Sequence, residues 1–153
     1  MSELPPFARS GPGAAMSEAC ADGRLRLQVC ASCGATQYPP REVCSSCLGG
    51  DLAWQPVATG GRVLSWTRGH ASALGYFHSR LPWTVGMVQL DAGPRALVHL
   101  PARLCATGAA VDVHAVADAS GRRVLLAWTP GAALPADAHL DSLMQAQTGQ
   151  EQP

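Results

Sequence analysis

The chain has 153 residues, room for one ordinary domain or a small one with a metal-stapled appendage, and its 47% hydrophobic content is that of a folded protein. Eleven Arg balance eleven acidic residues and there is no Lys, so no basic stripe marks a nucleic-acid binder that works by neutralising phosphates. No apolar run approaches the roughly 18 to 20 residues that cross a bilayer, and the first fifteen residues lack the charged-then-apolar order of a signal peptide, so a cytoplasmic protein without a membrane partner is expected.

In chain order, residues 2–13 are crowded with Pro5, Pro6, Gly11, Pro12 and Gly13 and read as an irregular arm. Residues 14–21 suit two helical turns with Met16, Ala19 and Cys20 on one side, ended by Asp22 and Gly23. Residues 24–29 alternate, Leu25, Leu27 and Val29 against Arg24, Arg26 and Gln28, which is a strand running into Cys30.

Cys30-Ala31-Ser32-Cys33-Gly34 and Cys44-Ser45-Ser46-Cys47-Leu48-Gly49 are two Cys-x-x-Cys knuckles. Two intervening residues let one turn aim two thiolates at one ion, and two knuckles complete a tetrahedron. Cys30, Cys33, Cys44 and Cys47 are therefore the expected metal ligands, with Tyr38-Pro39-Pro40-Arg41 as a stiff excursion between the pairs. A reducing compartment argues against disulfides. A closed four-thiolate site has no open position, so structural Zn2+ is expected; iron in a rubredoxin-like site is the competing metal, distinguished by a red colour and absence of zinc on elemental analysis.

Five strand-like runs follow, at 61–67, 83–90, 95–100, 111–117 and 122–128. Asp91-Ala92-Gly93-Pro94 and Asp118-Ala119-Ser120-Gly121 predict hairpins between the second and third runs and the fourth and fifth. The connections 69–82 and 101–110 are longer, with room for a ligand or a helical turn. The spacing predicts an all-β fold: a short N-terminal helix, a rubredoxin-like zinc ribbon and a small five-stranded OB barrel. The expected divisions are an arm and helix at 1–23, the ribbon at 24–55, the barrel at 56–130 and a flexible tail at 131–153, of which residues 139–146 suit a short helix on a partner.

No catalytic set emerges. Cys20 and Cys105 read as small apolar side chains, and His99 and His114 lie on strands without an assigned role. Nucleophile-elbow, phosphate-loop and dinucleotide motifs are missing from the sequence. Trp54, Trp66, Trp83 and Trp128 are read as core rather than as base-stacking platforms. His70, Tyr76, His78 and Arg80 in the first long connection, with Arg68 before it and Arg41 in the ribbon, are the candidate contacts to a ligand or partner, Arg being suited to phosphate.

The run from Gly23 through Cys30-Ala-Ser-Cys33-Gly34, then Pro39-Pro40-Arg41 ahead of Cys44-Ser-Ser-Cys47 and Trp54, resembles the zinc-ribbon plus OB-fold family once catalogued as domain of unknown function thirty-five. Gly60-Gly61-Arg62-Val63-Leu64-Ser65-Trp66-Thr67, Val85-Gly86-Met87-Val88-Gln89-Leu90-Asp91 with Gly93, and Gly108 ahead of Val111 extend the likeness over about residues 16–130. The resemblance implies a noncatalytic companion subunit of a thiolase-like acyl-CoA acyltransferase, with a coenzyme A thioester as possible ligand. Alternatives are a companion of an enoyl-CoA hydratase, or a single-stranded nucleic-acid-binding OB protein, which the neutral charge disfavours.

Overall fold

A computed structural model describes residues 4–6 and 8–145. It opens with α1 (Gly11–Ala19), which begins within the stretch expected to be irregular. Ser10 caps it, its hydroxyl accepting from the Gly13 N–H, and Pro12 stands in the first turn, where a missing N–H costs nothing. The helix lays Met16 and Cys20 against the core.

The ribbon sheet has the order β2-β1-β3, from β1 (Arg26–Cys30), β2 (Thr36–Gln37) and β3 (Leu52–Pro56), all antiparallel. β2 and β3 carry no strand signal of their own. Their pairing, Gln28 with Gln37 and Cys30 with Leu52, is imposed by β1 and by the turn that brings the knuckles together.

The five expected runs are β4 (Gly60–Gly69), β5 (Trp83–Leu90), β6 (Arg95–His99), β7 (Ala110–Ala117) and β8 (Arg123–Trp128). They close in the order β4-β5-β6-β8-β7, with both predicted hairpins antiparallel and one parallel contact, His99 opposite Leu126, shutting the β6–β8 seam. This is the connectivity of a five-stranded OB barrel. The two long connections carry α2 (Gly75–His78) and a 3-10 turn (Ala102–Leu104). No helix among the described residues is long and apolar enough to cross a membrane.

One apolar cluster spans ribbon and barrel. Val63, Val88, Val98, Leu100, Val113 and Leu125 from the barrel pack in the same core as Leu25, Leu27, Met16 and Cys20. The start of β1 is thus a wall of the barrel core, and the sequence division between ribbon and barrel is not a division of packing.

A second cluster lies outside the barrel wall and corrects the expectation of a flexible tail. Leu140 and Leu143 of α3 (Leu140–Gln145) are buried against Val116, Leu126 and Trp128. A six-residue helix does not hold alone in water, but burying a Leu contributes about 1.5 to 3 kcal/mol, and two of them tether this one. Residues 146–153 of the expected tail lie outside the described residues.

Barrel closure depends on Gly61, buried where β4 meets both β5 and β7. A Cβ there would stand 2.7 Å from the Gln89 carbonyl oxygen and from Val88 Cγ1. The carbonyl belongs to the paired strand, so relief requires parting β4 from β5. Gly61→Ala is expected to destabilise the fold by about 2 to 4 kcal/mol, read as a shift in urea midpoint; an unchanged midpoint would show that the strands yield.

Candidate metal centre and its surroundings

The two knuckles are built alike. Gly34 N–H donates to the Cys30 carbonyl at 2.8 Å and Leu48 N–H to the Cys44 carbonyl at 3.0 Å, while the N–H groups of Cys30 and Cys44 donate to Ala35 and Gly49 at 2.9 and 2.8 Å. The residue after the second cysteine of each pair turns into the left-handed region. That residue is Gly34 at φ +75° in the first knuckle but Leu48 at φ +62° in the second, with Gly49 one place later. Leu48 holds this conformation while 75% exposed.

These turns bring four sulfurs within 4.8 Å of one another. Cys30 to Cys47 and Cys33 to Cys44 are each 3.6 Å apart, far beyond a disulfide. Zn–S bonds of 2.3 Å in a tetrahedron require sulfurs about 3.8 Å apart, so the donor set fits the ion of a zinc ribbon. Backbone N–H groups already favour anions here. Those of Cys47 and Ser46 bring the Cys44 thiol down to about 6, and those of Cys33 and Ser32 lower Cys30. At Cys33 the Ala35 N–H acts downward, but the neighbouring thiols Cys44 and Cys47 outweigh it and push the group up to about 12. Without an ion the four thiols compete for charge; a cation removes that competition.

A pair of buried amides locks the second knuckle to the sheet. Gln37 Nε2 donates to Gln28 Oε1 at 2.8 Å; Gln28 exchanges bonds with the Arg41 backbone, and Gln37 Oε1 accepts from Ser45 N–H at 2.9 Å. Both side chains are buried. Alternation placed Gln28 on the solvent face of β1, but the Pro-Pro-Arg excursion folds over that face and covers it.

The candidate contact residues divide. Tyr76 is buried, its hydroxyl donating to Asp141, with burial first and that bond second raising its phenol. Arg80 stacks 4.0 Å from the Tyr76 ring centroid and lies 3.4 Å from Asp141. Both tie the first long connection to α3, and Arg80 also lines a cavity of about 280 Å³ with Trp83, Leu100 and Met144. Arg41, Arg68, His70 and His78 are exposed.

Cys20 is fully buried. Burial raises the Cys105 thiol, with Arg68 acting against it, so Cys105 is not a poised thiolate. Trp128 is buried and Trp54 and Trp83 pack against the two clusters, but Trp66 is 41% exposed and is not core. His99 accepts at Nδ1 from Trp83 Nε1–H at 2.9 Å, and burial lowers its pKa to about 4. Among the described residues the four cysteines are the only group of metal-ligating side chains gathered closely enough to hold an ion.

Comparison with known proteins agrees with this layout. Residues 17–53 match a family model described as "ChsH2, rubredoxin-like zinc ribbon domain", and residues 54–129 match one described as "ChsH2, C-terminal OB-fold domain". Among solved structures, a chain of the "Ltp2-ChsH2(DUF35) aldolase" is 24% identical with a TM-score of 0.68, covering 80% of this chain and 97% of that one, a likeness of fold. No curated protein matches the chain significantly. With a four-cysteine ribbon at its front and a closed five-stranded barrel behind it, each matched in succession, the chain belongs to the ChsH2 family of zinc-ribbon and OB-fold proteins.

Proposed function

We propose that this protein is a zinc-holding, noncatalytic companion subunit of a thiolase-like acyl-CoA acyltransferase, ordering its partner and supporting acyl-CoA binding. The observation that carries this reading is a closed four-thiolate site as the only metal-type cluster among the described residues, on a fold shared with a solved chain of the "Ltp2-ChsH2(DUF35) aldolase". The zinc is structural: it joins the knuckles and leaves chemistry to the partner. Of the candidate contacts, Arg41, Arg68, His70 and His78 are the ones whose exposure suits a partner or an anionic thioester ligand.

The test is co-expression of the full chain with a thiolase-like subunit from the same host, followed by size-exclusion and elemental analysis. Wild type is expected to co-elute with the subunit and carry one zinc; Cys33→Ser is expected to lose metal and complex together, the partner's own catalytic residues being untouched. Metal loss with full retention of complex and activity would refute the role given to zinc. A chain that ignores the thiolase-like subunit and co-elutes with a hydratase subunit would move the assignment to that enzyme.

A further inference from the structure

β4 differs from every other barrel strand. It is ten residues long, yet β7 pairs with it only from Gly60 to Arg62, and the last bonds to its outer edge join Val63 to Gly108 and Ala109. A bulge at Leu64 then bends the strand out of the β7 ladder. Beyond it β4 is held by β5 alone, from Ser65 opposite Met87 to Gly69 opposite Trp83. Residues 64–68 are exposed in succession, on both faces, where β5 alternates strictly between buried and half-buried.

This open edge carries two large apolar side chains, Leu64 at 39% and Trp66 at 41% exposure. An unpaired edge with apolar side chains is a template for another strand, and proteins that do not use one shorten it or end it with Pro or Lys. The ribbon's outer strands follow that practice: β2 has two residues and β3 ends at Pro56. β4 does not.

Charge indicates what the added strand contains. The chain is neutral overall, but β4 itself holds Arg62 and Arg68 and no acid. A second copy is a poor occupant. Antiparallel self-pairing over the open stretch, centred on Trp66, sets Arg68 opposite Leu64 and gives the guanidinium no acid to face.

We propose that residues 64–68 are the docking strand on which the thiolase-like partner lays an extended, acid-containing segment, adding a strand to the barrel sheet while Leu64 and Trp66 seat in apolar pockets of that partner. This rests on the companion-subunit reading and names its surface. Backbone bonds supply affinity, the exposed aromatic supplies the anchor, and Arg68 selects an acidic partner.

The experiment uses the full chain with the co-expressed thiolase-like subunit. Amide exchange is compared between free chain and complex, and affinity is measured for wild type, Trp66→Ala, Arg68→Glu and, on the outer β6 face, Leu97→Ser. Metal content and melting temperature serve as folding controls. Residues 63–69 are expected to slow at least tenfold in the complex. Trp66→Ala and Arg68→Glu should each weaken binding by roughly tenfold or more, with Leu97→Ser binding as wild type. A complex that forms normally with both β4 variants, and leaves 63–69 exchanging as in the free chain, overturns the docking strand while leaving the companion reading intact. Loss of binding in Leu97→Ser alone overturns it in favour of the β5–β6 face, and concentration-dependent protection of 63–69 without the subunit overturns it in favour of self-association.

Discussion

Removing the metal is expected to unfold residues 30–52 and leave the barrel standing. Between residues 31 and 51 only Cys44 and Gln37 are buried; Val43 and Leu48 point to solvent, and Tyr38 is half-buried against the main core. The knuckles thus have no apolar core of their own. Structural zinc in small ribbons is worth about 10 to 16 kcal/mol in apparent terms, as much as the whole stability of an ordinary domain, and nothing else within this segment approaches that. The barrel keeps its own closed ladder and cluster, and the start of β1 stays pinned through Leu25 and Leu27. Cys44→Ser, or chelation of wild type, should therefore speed amide exchange in 30–52 at least a hundredfold while β5 and β6 stay protected with a lower melting temperature. Unchanged protection of the knuckles after verified metal loss would mean that the amide network of Gln28 and Gln37 holds them unaided.

Acid should weaken this fold through two histidines, His99 foremost and His114 in the same sense. Nδ1 of His99 accepts the Trp83 indole proton, the two rings meet edge to face, and His99 lines a cleft of about 140 Å³ with Arg9, Tyr76, Phe77 and Asp118. Burial depresses the group to about 4 from 6.5; Asp118 and Asp141 act in the opposite sense without overcoming it. The unfolded chain binds the proton more readily, so the native state has its full stability above pH 6.5 and loses it as pH falls toward 4. At 1.36 kcal/mol per unit the loss is about 2 to 3 kcal/mol. His99→Gln keeps an acceptor for Trp83 without titrating. Urea unfolding across pH 4 to 7 should show a steeper decline for wild type than for His99→Gln by that amount, and parallel profiles would exclude His99 as the cause.

Much of the architecture was legible in local pattern. The Cys-x-x-Cys spacing marks the metal ligands because chelation by one turn needs two intervening residues wherever the chain later goes. The five barrel strands stand out because alternation with period two, bounded by Asp and Gly turns, is a local property; β5 occupies the expected residues 83–90. Ser10 ahead of Gly11 and Pro12 was an N-cap signal too, masked by the density of helix breakers around it.

What escaped sequence reading depends on partners distant in the chain. β2 is two residues long and exists only because β1 pairs with it. Gln28 reads as solvent-facing until Arg41 and Gln37 close over it. The short helix expected within 139–146 forms as α3, but its packing on this chain rather than on a partner waits on Trp128 and Leu126 across the barrel wall. A loop sequence does not reveal that Asp141, some sixty residues on, will engage both Tyr76 and Arg80. The sequence by itself determined the thiolate set and the identity of the barrel strands, since spacing and periodicity are written within single turns and single strands. Only the tertiary structure decided that β1 belongs to the barrel core and that β4 outruns its neighbour to leave an open apolar edge, because burial is a relation between segments that no one segment encodes.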